Sequence, residues 1–445
     1  MKRMMDKNNW KKAYDYLRRN GIGPTLSAIG ERTRCAYYAD YRYEKPNEEV
    51  LSRQQKRIWK NPIRFSILVP AYETRELFME QLVKSLQEQT YPYWELLLLD
   101  ASKTDRVKRR IEAYQDERIR YLPLAQNQGI SENTQAGLAL VRGEYVGLLD
   151  HDDYLTPDAL YEMANQLEQG RQQGYRYRML YSDEDKCEET GTCFFEPHWK
   201  QDFNLDLLLT NNYICHFLVM ERELISKLGF RKAFDGAKDY DLVLRAVADL
   251  LKEETAVEQQ IAHIPRVLYH WRCHEASTAA NPSSKDYAYE AGRRALEDFL
   301  LGMGWKAKVS PMRHKGFYRV DYEGGIFAQR KDVAAIGGKR IYRGKVLATA
   351  KSKTGEPLYE GLPAGYSGYM NRAVLMQDVE WLDTAFWKVN PLYQNLLEEV
   401  IQEAKREQSN QEEGLADQVC AKLLARGYRL CWDPEWILSQ KEGGL

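Results

Sequence analysis

The sequence has no apolar run long enough to cross a bilayer, so we predict no membrane-spanning helix. Its opening residues, MKRMMD, also lack the apolar core of a signal peptide, and we expect a cytoplasmic protein. The 445 residues carry 64 Lys and Arg against 65 Asp and Glu, a formal net charge of -1. This balance gives no overall positive field, which argues against nucleic acid as a partner.

Several motifs of metal, redox and phosphate chemistry are absent too. The seven cysteines form no CxxC pair, and the histidines form no HExxH motif. We therefore expect reduced thiols, with neither a disulfide framework nor a structural zinc site. No GxGxxG follows the first predicted strand and no GxxxxGK[ST] occurs anywhere. A backbone phosphate cradle of the dehydrogenase or NTPase type is thus disfavoured.

One acidic stretch points to chemistry. Asp150-His151-Asp152-Asp153 directly follows the apolar run from Tyr145 to Leu149. Carboxylates this close repel one another, so the stretch favours a hard divalent cation among their oxygens, and a metal-held diphosphate would suit such a cation. A solvated acidic turn is the alternative.

From residue 63 onward, apolar residues alternate between strand and helix spacing. Strands are predicted at 65–69, 96–99, 118–122, 145–149, 177–181, 214–220 and 264–269. Helices are predicted around Phe78 to Leu86, from Glu132 to Val141 with Ser131 as cap, after Thr156-Pro157, from Asp239, and from Lys285 to Leu301. This alternation predicts an α/β fold, a mostly parallel sheet with helices on both faces.

Polar residues cluster where four of these strands are predicted to end. They are 70–73, 100–102, 150–153 and 182–186. Ligands of open parallel sheets bind beyond the carboxyl ends of the strands, so these residues predict one site at a single edge.

Read in order, the motifs resemble glycosyltransferase family 2, an inverting family with the GT-A fold. The matching segments are Val69-Pro70-Ala71-Tyr72-Glu73, Gln89-Thr90-Tyr91, Asp100, Asn127-Gln128-Gly129-Ile130-Ser131, Gly143-Glu144-Tyr145, 149–153, 181–186, 212–216, 235–242 and 269–274. The resemblance covers residues 63 to about 310.

The resemblance implies a role for each matching residue. Pro70, Tyr72, Glu73, Asp100, Asp150 and Arg272 would bind the nucleotide sugar, with Asp100 on the base and Asp150 near ribose and diphosphate. Asp152 and His274 would bind Mg²⁺ or Mn²⁺, and Asp239 would be the catalytic base, with a helix cap as its alternative role. Asp153 would be a supporting group or a helix cap.

Acceptor residues are less determined by the motifs. Asp183, Glu184, Asp185 and Trp271 are acceptor-site candidates, and a solvated loop is the alternative for the three acids. His270 falls where the family often closes over the diphosphate, with ordinary packing as the alternative. Two residues depart from the family pattern: Ala101 replaces a second acid, and Lys238 stands where Glu or Gln commonly precedes the base.

We therefore expect three regions: a helical or irregular extension at 1–62, a GT-A domain at 63–314, and an appendage at 315–445 that resembles a degenerate, partial second family 2 unit. The predicted function is metal-dependent, inverting transfer from a UDP-sugar or dTDP-sugar to a glycan or lipid-linked glycan in cell-surface polysaccharide synthesis. Peripheral association with the inner membrane face is expected. The alternatives are a non-catalytic module that binds sugar nucleotide or glycan, and a nucleotidyltransferase, which the lack of a Gly-rich basic loop disfavours.

Overall fold

The computed structural model describes residues 41–274, 286–407 and 414–439, with a few positions between 14 and 26. The first region contains strands β1 (Phe65–Ala71), β2 (Trp94–Asp100), β3 (Ile119–Pro123), β4 (Tyr145–Leu148), β5 (Tyr154–Leu155), β6 (Met179–Cys187), β7 (Phe194–His198), β8 (Leu218–Glu221) and β9 (Ile261–Arg272). Its helices are α1 (Glu48–Gln55), α2 (Glu76–Gln87), α3 (Arg106–Glu112), α4 (Ile130–Leu138), α5 (Ala159–Gln172), α6 (Leu205–Leu208), α7 (Arg222–Leu228), α8 (Lys238–Leu250) and α9 (Asp286–Gly302).

These strands form one nine-stranded sheet in the order β3-β2-β1-β4-β8-β6-β9-β5, with β7 paired to β6. Strands β1 to β4 are parallel, whereas β8 is antiparallel to both of its neighbours. Successive residues of β1 point to opposite faces, so Ile67 and Val69 join one apolar core while Leu68 joins the other. Helices cover both faces, and the predicted α/β class is confirmed.

Three local predictions differ from the structure. The acidic run 182–186 lies inside β6 rather than after it, because β6 starts two residues later than predicted and continues to Cys187. Ser131 lies within α4, and its backbone N–H donates to Asp235 Oδ1 at 3.1 Å, so a distant aspartate serves the start of this helix. Gly129 permits that approach, because a Cβ there would lie 2.4 Å from Asp235 Oδ2. Thr156 does not cap α5, which begins at Ala159.

The C-terminal region is built on a second, five-stranded sheet. A hairpin of β10 (Ala307–Pro311) and β11 (Tyr318–Tyr322) leads into it and spans the boundary predicted at 314/315. The later strands are β12 (Val333–Tyr342), β13 (Lys345–Leu347), β14 (Ala350–Lys351), β15 (Gln377–Asp378), β16 (Trp381–Leu382), β17 (Trp387–Val389) and β18 (Arg429–Ser439). The helices are α10 (Ile326–Gln329), α11 (Gln394–Glu407) and α12 (Leu415–Ala425). Strands β12 and β18 pair in parallel, with α11 and α12 between them in the chain.

Buried ion pairs join this sheet to the first region. Arg330 donates to Asp206 of α6 at 3.1 Å and to Asp332 at 2.6 Å. Arg429 donates to Asp378 at 3.0 Å, and the backbone N–H of Leu205 donates to the same carboxylate at 2.8 Å. The two regions therefore share a charged interface.

Within the described ranges, no helix is both long and apolar enough to cross a membrane.

Candidate functional site

The carboxyl ends of β1, β2 and β4 meet at one edge of the sheet. Ala71 of β1 is in register with Asp100 of β2, and Leu68 with Leu148 of β4. Tyr72 and Glu73 therefore follow β1 at the edge where Asp150 follows β4. Pro70 itself lies buried within β1, and Tyr72 is 40% exposed.

Asp100 and Glu73 are held in place by hydrogen bonds from the next loop. Asp100 is buried, and its two oxygens accept from Ser102 N at 3.0 Å and Tyr121 Oη at 2.9 Å. Glu73 accepts from Thr104 Oγ1 and Lys103 N, both at 2.8 Å, and these bonds lower its pKa. The structure brings these two acids to the same loop.

Asp153 is an internal anchor of the DxDD stretch. Its oxygens accept from Tyr269 Oη at 2.5 Å and Arg272 N at 2.7 Å, both on β9. Burial and the neighbouring charges of Asp152 and Asp150 raise its pKa well above the usual value. The structure supports the predicted supporting role and excludes the cap, since α5 begins six residues later at Ala159.

Asp152 and His274 form the pair that fits a metal. Asp152 Oδ2 lies 2.8 Å from His274 Nε2, and both side chains are mostly buried. Burial raises the pKa of Asp152, but hydrogen bonding to His274 together with the charges of His151 and His274 more than offsets it, so the net shift is downward. Two ligands of one ion at about 2.1 Å and a right angle would lie about 3 Å apart, close to this spacing. A mixed carboxylate and imidazole set suits Mn²⁺ better than Mg²⁺, which prefers oxygen ligands.

Arg272 braces the same stretch from β9. It is fully buried, with Nε donating to the carbonyl of Asp152 at 2.6 Å and Nη1 to the carbonyl of Glu189 at 2.7 Å. Its guanidinium carbon also lies 4.6 Å from the ring centre of Phe78. The guanidinium fixes the backbone that carries Asp152, and Nη2 has no hydrogen-bond partner among the described residues.

Asp239 is the second residue of α8 and does not cap it. The cap position is Ala237, without a side-chain hydrogen bond. Asp239 Oδ1 instead accepts from Lys238 Nζ at 2.7 Å, and its side chain is 23% exposed. Lys238 Nζ also lies 4.0 Å from Asp150 Oδ1, so this one ammonium links the predicted base to the DxDD stretch. The helix-cap alternative for Asp239 is wrong.

The three acids of β6 do not face a cleft. Asp183, Glu184 and Asp185 are at most 5% exposed, so the solvated-loop alternative is wrong as well. Each is paired with histidine: Asp183 with His263 at 2.9 Å, Glu184 with His216 at 3.1 Å and His198 at 3.3 Å, and Asp185 with His270 at 2.6 Å. These contacts correct their assignment as acceptor groups, because their oxygens already have internal partners.

His270 and Trp271 occupy different environments on β9. His270 is 1% exposed and bound to Asp185, as its packing alternative predicted. Trp271 is partly exposed, with its ring centre 5.6 Å from that of His216. Of the four acceptor-site candidates, Trp271 alone keeps surface that another molecule could contact.

His216, for which we predicted no role, also belongs to this site. His216 stacks on Tyr269, with ring centres 4.6 Å apart and planes 8° apart. His216 Nε2 lies 3.8 Å from Asp150 Oδ2, while its Nδ1 faces Glu184. The Cys215-His216 pair was visible in the sequence, but its position beside Asp150 depends on the pairing of β4 with β8.

Glu184, Cys215 and His216 also lie close enough for a shared ion. Lys200 Nζ, however, lies 3.5 Å from Glu184 and donates to the carbonyls of Ile214 and His216. This ammonium already supplies the positive charge that an ion would bring.

Comparison with known families decides the class of this domain. Residues 66–229, which contain β1, the DxDD stretch and β8, match the model of Glycosyl transferase family 2. Residues 66–229 belong to glycosyl transferase family 2. With the sheet order described above, this match supports the predicted GT-A fold for the family 2 domain.

Three curated relatives extend the comparison. The chain is 39% identical over 256 residues to the uncharacterized protein y4gI of Sinorhizobium fredii, covering 56% of this chain and 27% of that protein. It is 34% identical over 274 residues to the O-antigen biosynthesis protein RfbC of Myxococcus xanthus, covering 59% and 20%. It is 27% identical over 213 residues to the putative colanic acid biosynthesis glycosyl transferase WcaA of Escherichia coli, covering 46% and 73%. The match thus spans only 27% of y4gI and 20% of RfbC.

Proposed function

We propose that the chain is a metal-dependent, inverting glycosyltransferase that extends a cell-surface polysaccharide or its lipid-linked precursor. The family 2 match supports the reaction class, and relatives named for O-antigen and colanic acid biosynthesis support the product class. The observation that carries the proposal is the position of Asp239, partly exposed and joined through Lys238 to the DxDD stretch. A base and a diphosphate site would therefore stand on opposite sides of one sugar.

In this mechanism, Asp239 takes the proton of the acceptor hydroxyl. The hydroxyl oxygen then forms a bond to the anomeric carbon, on the face opposite the leaving group. The bond from that carbon to the diphosphate oxygen breaks, and its electron pair leaves with the nucleoside diphosphate. Bound at Asp152 and His274, Mn²⁺ or Mg²⁺ would supply positive charge for the departing diphosphate.

Donor recognition is assigned to the loops after β1 and β2. Tyr72 offers an exposed ring, while Asp100 and Glu73 are held rigidly by hydrogen bonds. UDP is the first candidate for the nucleotide of the donor and dTDP is the second. Trp271 remains our candidate contact for the acceptor sugar, because carbohydrate rings pack well on aromatic faces. Peripheral attachment at the inner membrane face stays a prediction, which release of the protein from membranes by salt would test.

Asp239→Asn tests the proposal. Turnover should fall by about two orders of magnitude or more, because asparagine cannot accept the hydroxyl proton. The protein should remain folded, since Asp239 does not cap α8 and Asp150 still lies near Lys238, and circular dichroism checks this. Asp249→Asn, in the last turn of the same helix, is the matched control and should keep full turnover.

Near-normal turnover of Asp239→Asn would contradict this mechanism. Asp241 and Asp185 are poor substitutes as base, because Asp241 is paired with Arg231 and Arg245 and Asp185 with His270. A wild-type protein that binds nucleotide sugars but transfers none of them would favour the non-catalytic alternative.

A further inference from the structure

Lys238 is a buried cation shared unequally by two carboxylates. Its side chain is 7% exposed, and Nζ lies 2.7 Å from Asp239 Oδ1 and 4.0 Å from Asp150 Oδ1. Asp239 opens α8, whereas Asp150 follows β4. The ammonium therefore lies between the proposed acceptor side and the proposed donor side of the reaction.

The surrounding groups keep Lys238 charged. Burial alone would lower the pKa of Lys238, but Asp239 and Asp150 raise it above its ordinary value. From the strand side, Cys215 also faces the ammonium, and His216 approaches the far oxygen of Asp150 at 3.8 Å. Behind His216 lies Glu184, which His198 and Lys200 also contact.

This hydrogen bond engages one oxygen of Asp239. The ammonium competes there with an acceptor hydroxyl, which must donate to the same carboxylate before it can lose its proton. A diphosphate bound beside Asp150 would add negative charge on the other side of Lys238. Because the lysine stem is long and flexible, a small movement of Nζ would exchange one partner for the other.

We infer that Lys238 couples donor binding to activation of the base: it holds Asp239 while the donor site is empty and moves toward the diphosphate when the donor binds. This inference rests on the proposed function, which supplies the positions of donor and acceptor. Lys238 is a positioning residue here, since it acts through Asp239. Its effect is to make deprotonation of an acceptor unfavourable until a donor is present.

A double-mutant cycle on nucleotide binding tests the inference without requiring turnover. Calorimetric titration with UDP, and separately with dTDP, is carried out in MnCl₂ on wild type, Asp239→Asn, Lys238→Gln and the double variant. Asp239→Asn should tighten binding about tenfold, because the ammonium is then free for the diphosphate. In the Lys238→Gln background the same change should have an effect of about threefold or less, and Lys238→Gln alone should weaken binding.

Two controls separate this role from a structural one. Lys238→Arg keeps the charge and should keep most of the coupling, while Lys252→Gln, exposed just beyond α8, should change nothing. If Lys238→Gln does not fold, Lys238→Met takes its place in the cycle.

If Asp239→Asn changes nucleotide affinity by the same factor in wild type and in Lys238→Gln, the inference is overturned. It is also overturned if Asp239→Asn with Lys238 present binds nucleotide no more tightly than the wild type. Those results would leave the glycosyltransferase proposal intact, since that depends on loss of turnover in Asp239→Asn. Wild-type protein that binds no nucleoside diphosphate would overturn the proposed function and this inference together.

Discussion

Replacement of Asp378 by asparagine should make the stability of this protein less dependent on pH. Asp378, whose side chain is 16% exposed, lies where the C-terminal sheet meets α6, close to Asp206 and to the guanidiniums of Arg330 and Arg429. With the 35% exposed Asp332, three carboxylates face two guanidiniums, which leaves one excess negative charge in a largely buried cluster. Glu258, which is 62% exposed, also contacts Arg429. A retained proton removes that excess, and burial together with the charge of Asp206 raises the pKa of Asp378 to about 8.

The sign of the effect follows from where the proton is held. The pKa of an unfolded aspartate is about 3.9, so between about pH 4 and pH 8 the folded protein keeps a proton that the unfolded chain has lost. The free energy of unfolding therefore falls as pH rises through this window, by at most about 1.4 kcal/mol per pH unit. Asparagine is neutral throughout and similar in shape, so this slope should disappear in Asp378→Asn.

The pKa of Asp206 is shifted in the opposite direction, and its effect on stability falls at lower pH. Burial raises its pKa, but Arg330 and nearby hydrogen-bond donors more than offset this and hold the pKa to about 2. Its contribution to stability is present above the unfolded pKa and is lost as pH falls from about 4 toward 2. Measurements between pH 5.5 and 7.5 avoid that region and report on Asp378.

Urea unfolding at pH 5.5 and 7.5 measures the difference. Over two pH units the wild type should lose up to about 3 kcal/mol more than Asp378→Asn. As a control, Asp417→Asn on α12 removes an exposed partner of Lys351, and its stability should depend on pH as that of the wild type does. If the free energy of unfolding changes equally with pH in wild type and Asp378→Asn, then Asp378 does not retain a proton in the folded protein.

Two further predictions concern the site. Asp152→Asn should abolish Mn²⁺-dependent binding of UDP or dTDP in calorimetric titration, because an amide is a much poorer ligand than a carboxylate; unchanged affinity would contradict the metal assignment. Arg272→Lys should lower the free energy of unfolding by about 2 to 4 kcal/mol, since one ammonium cannot serve both Asp152 and Glu189 carbonyls and lie over Phe78. Urea unfolding measures this loss, and equal stability would contradict the bracing role.

Strand positions in the family 2 domain were predictable because continuous apolar runs mark buried parallel strands. The runs at 65–69 and 96–99 fall within β1 and β2, which are buried on both faces. The DxDD stretch was also placed correctly beyond β4.

Burial of the β6 acids was not predictable from local pattern. Asp183, Glu184 and Asp185 resemble a polar strand end in the sequence. Each is compatible with burial only because it pairs with a histidine that lies between 14 and 85 residues away, such as His198 or His270. Such pairing requires knowledge of which strands are neighbours. The contact of Lys238 with Asp150 was not predictable for the same reason, because it joins α8 to the end of β4.

Deletion of the C-terminal region tests how far it is a separate unit. From the sequence we expected that removing residues after about 315 would spare donor binding, because every donor-site candidate precedes that point. The structure adds a cost, because the carboxylate of Asp206 would lose its partners Arg330 and Cys431, which both belong to the removed region. The surface of α6 that this region covers would then face water.

Two other contacts would disappear with the deletion. Tyr369 accepts from Trp199 N at 2.8 Å, and Arg372 donates to Trp199 O at 2.6 Å, so the C-terminal region holds the segment that follows β7. Ending the chain at residue 314 would also remove β11, which pairs with β10, whereas ending it after Tyr322 keeps the hairpin intact. We therefore expect residues 1–322 to fold better than residues 1–314.

In both truncated chains, Asp206→Asn should change the melting temperature little, because the carboxylate would face water without Arg330. In the full-length protein the same substitution should lower it, since Arg330 then loses its partner. Thermal unfolding of the six proteins, with and without UDP and MnCl₂, measures both effects. An equal loss of stability in all three lengths would contradict the structural role of Arg330. A truncated chain that is folded but binds no donor nucleotide would show that the C-terminal region contributes to the donor site itself.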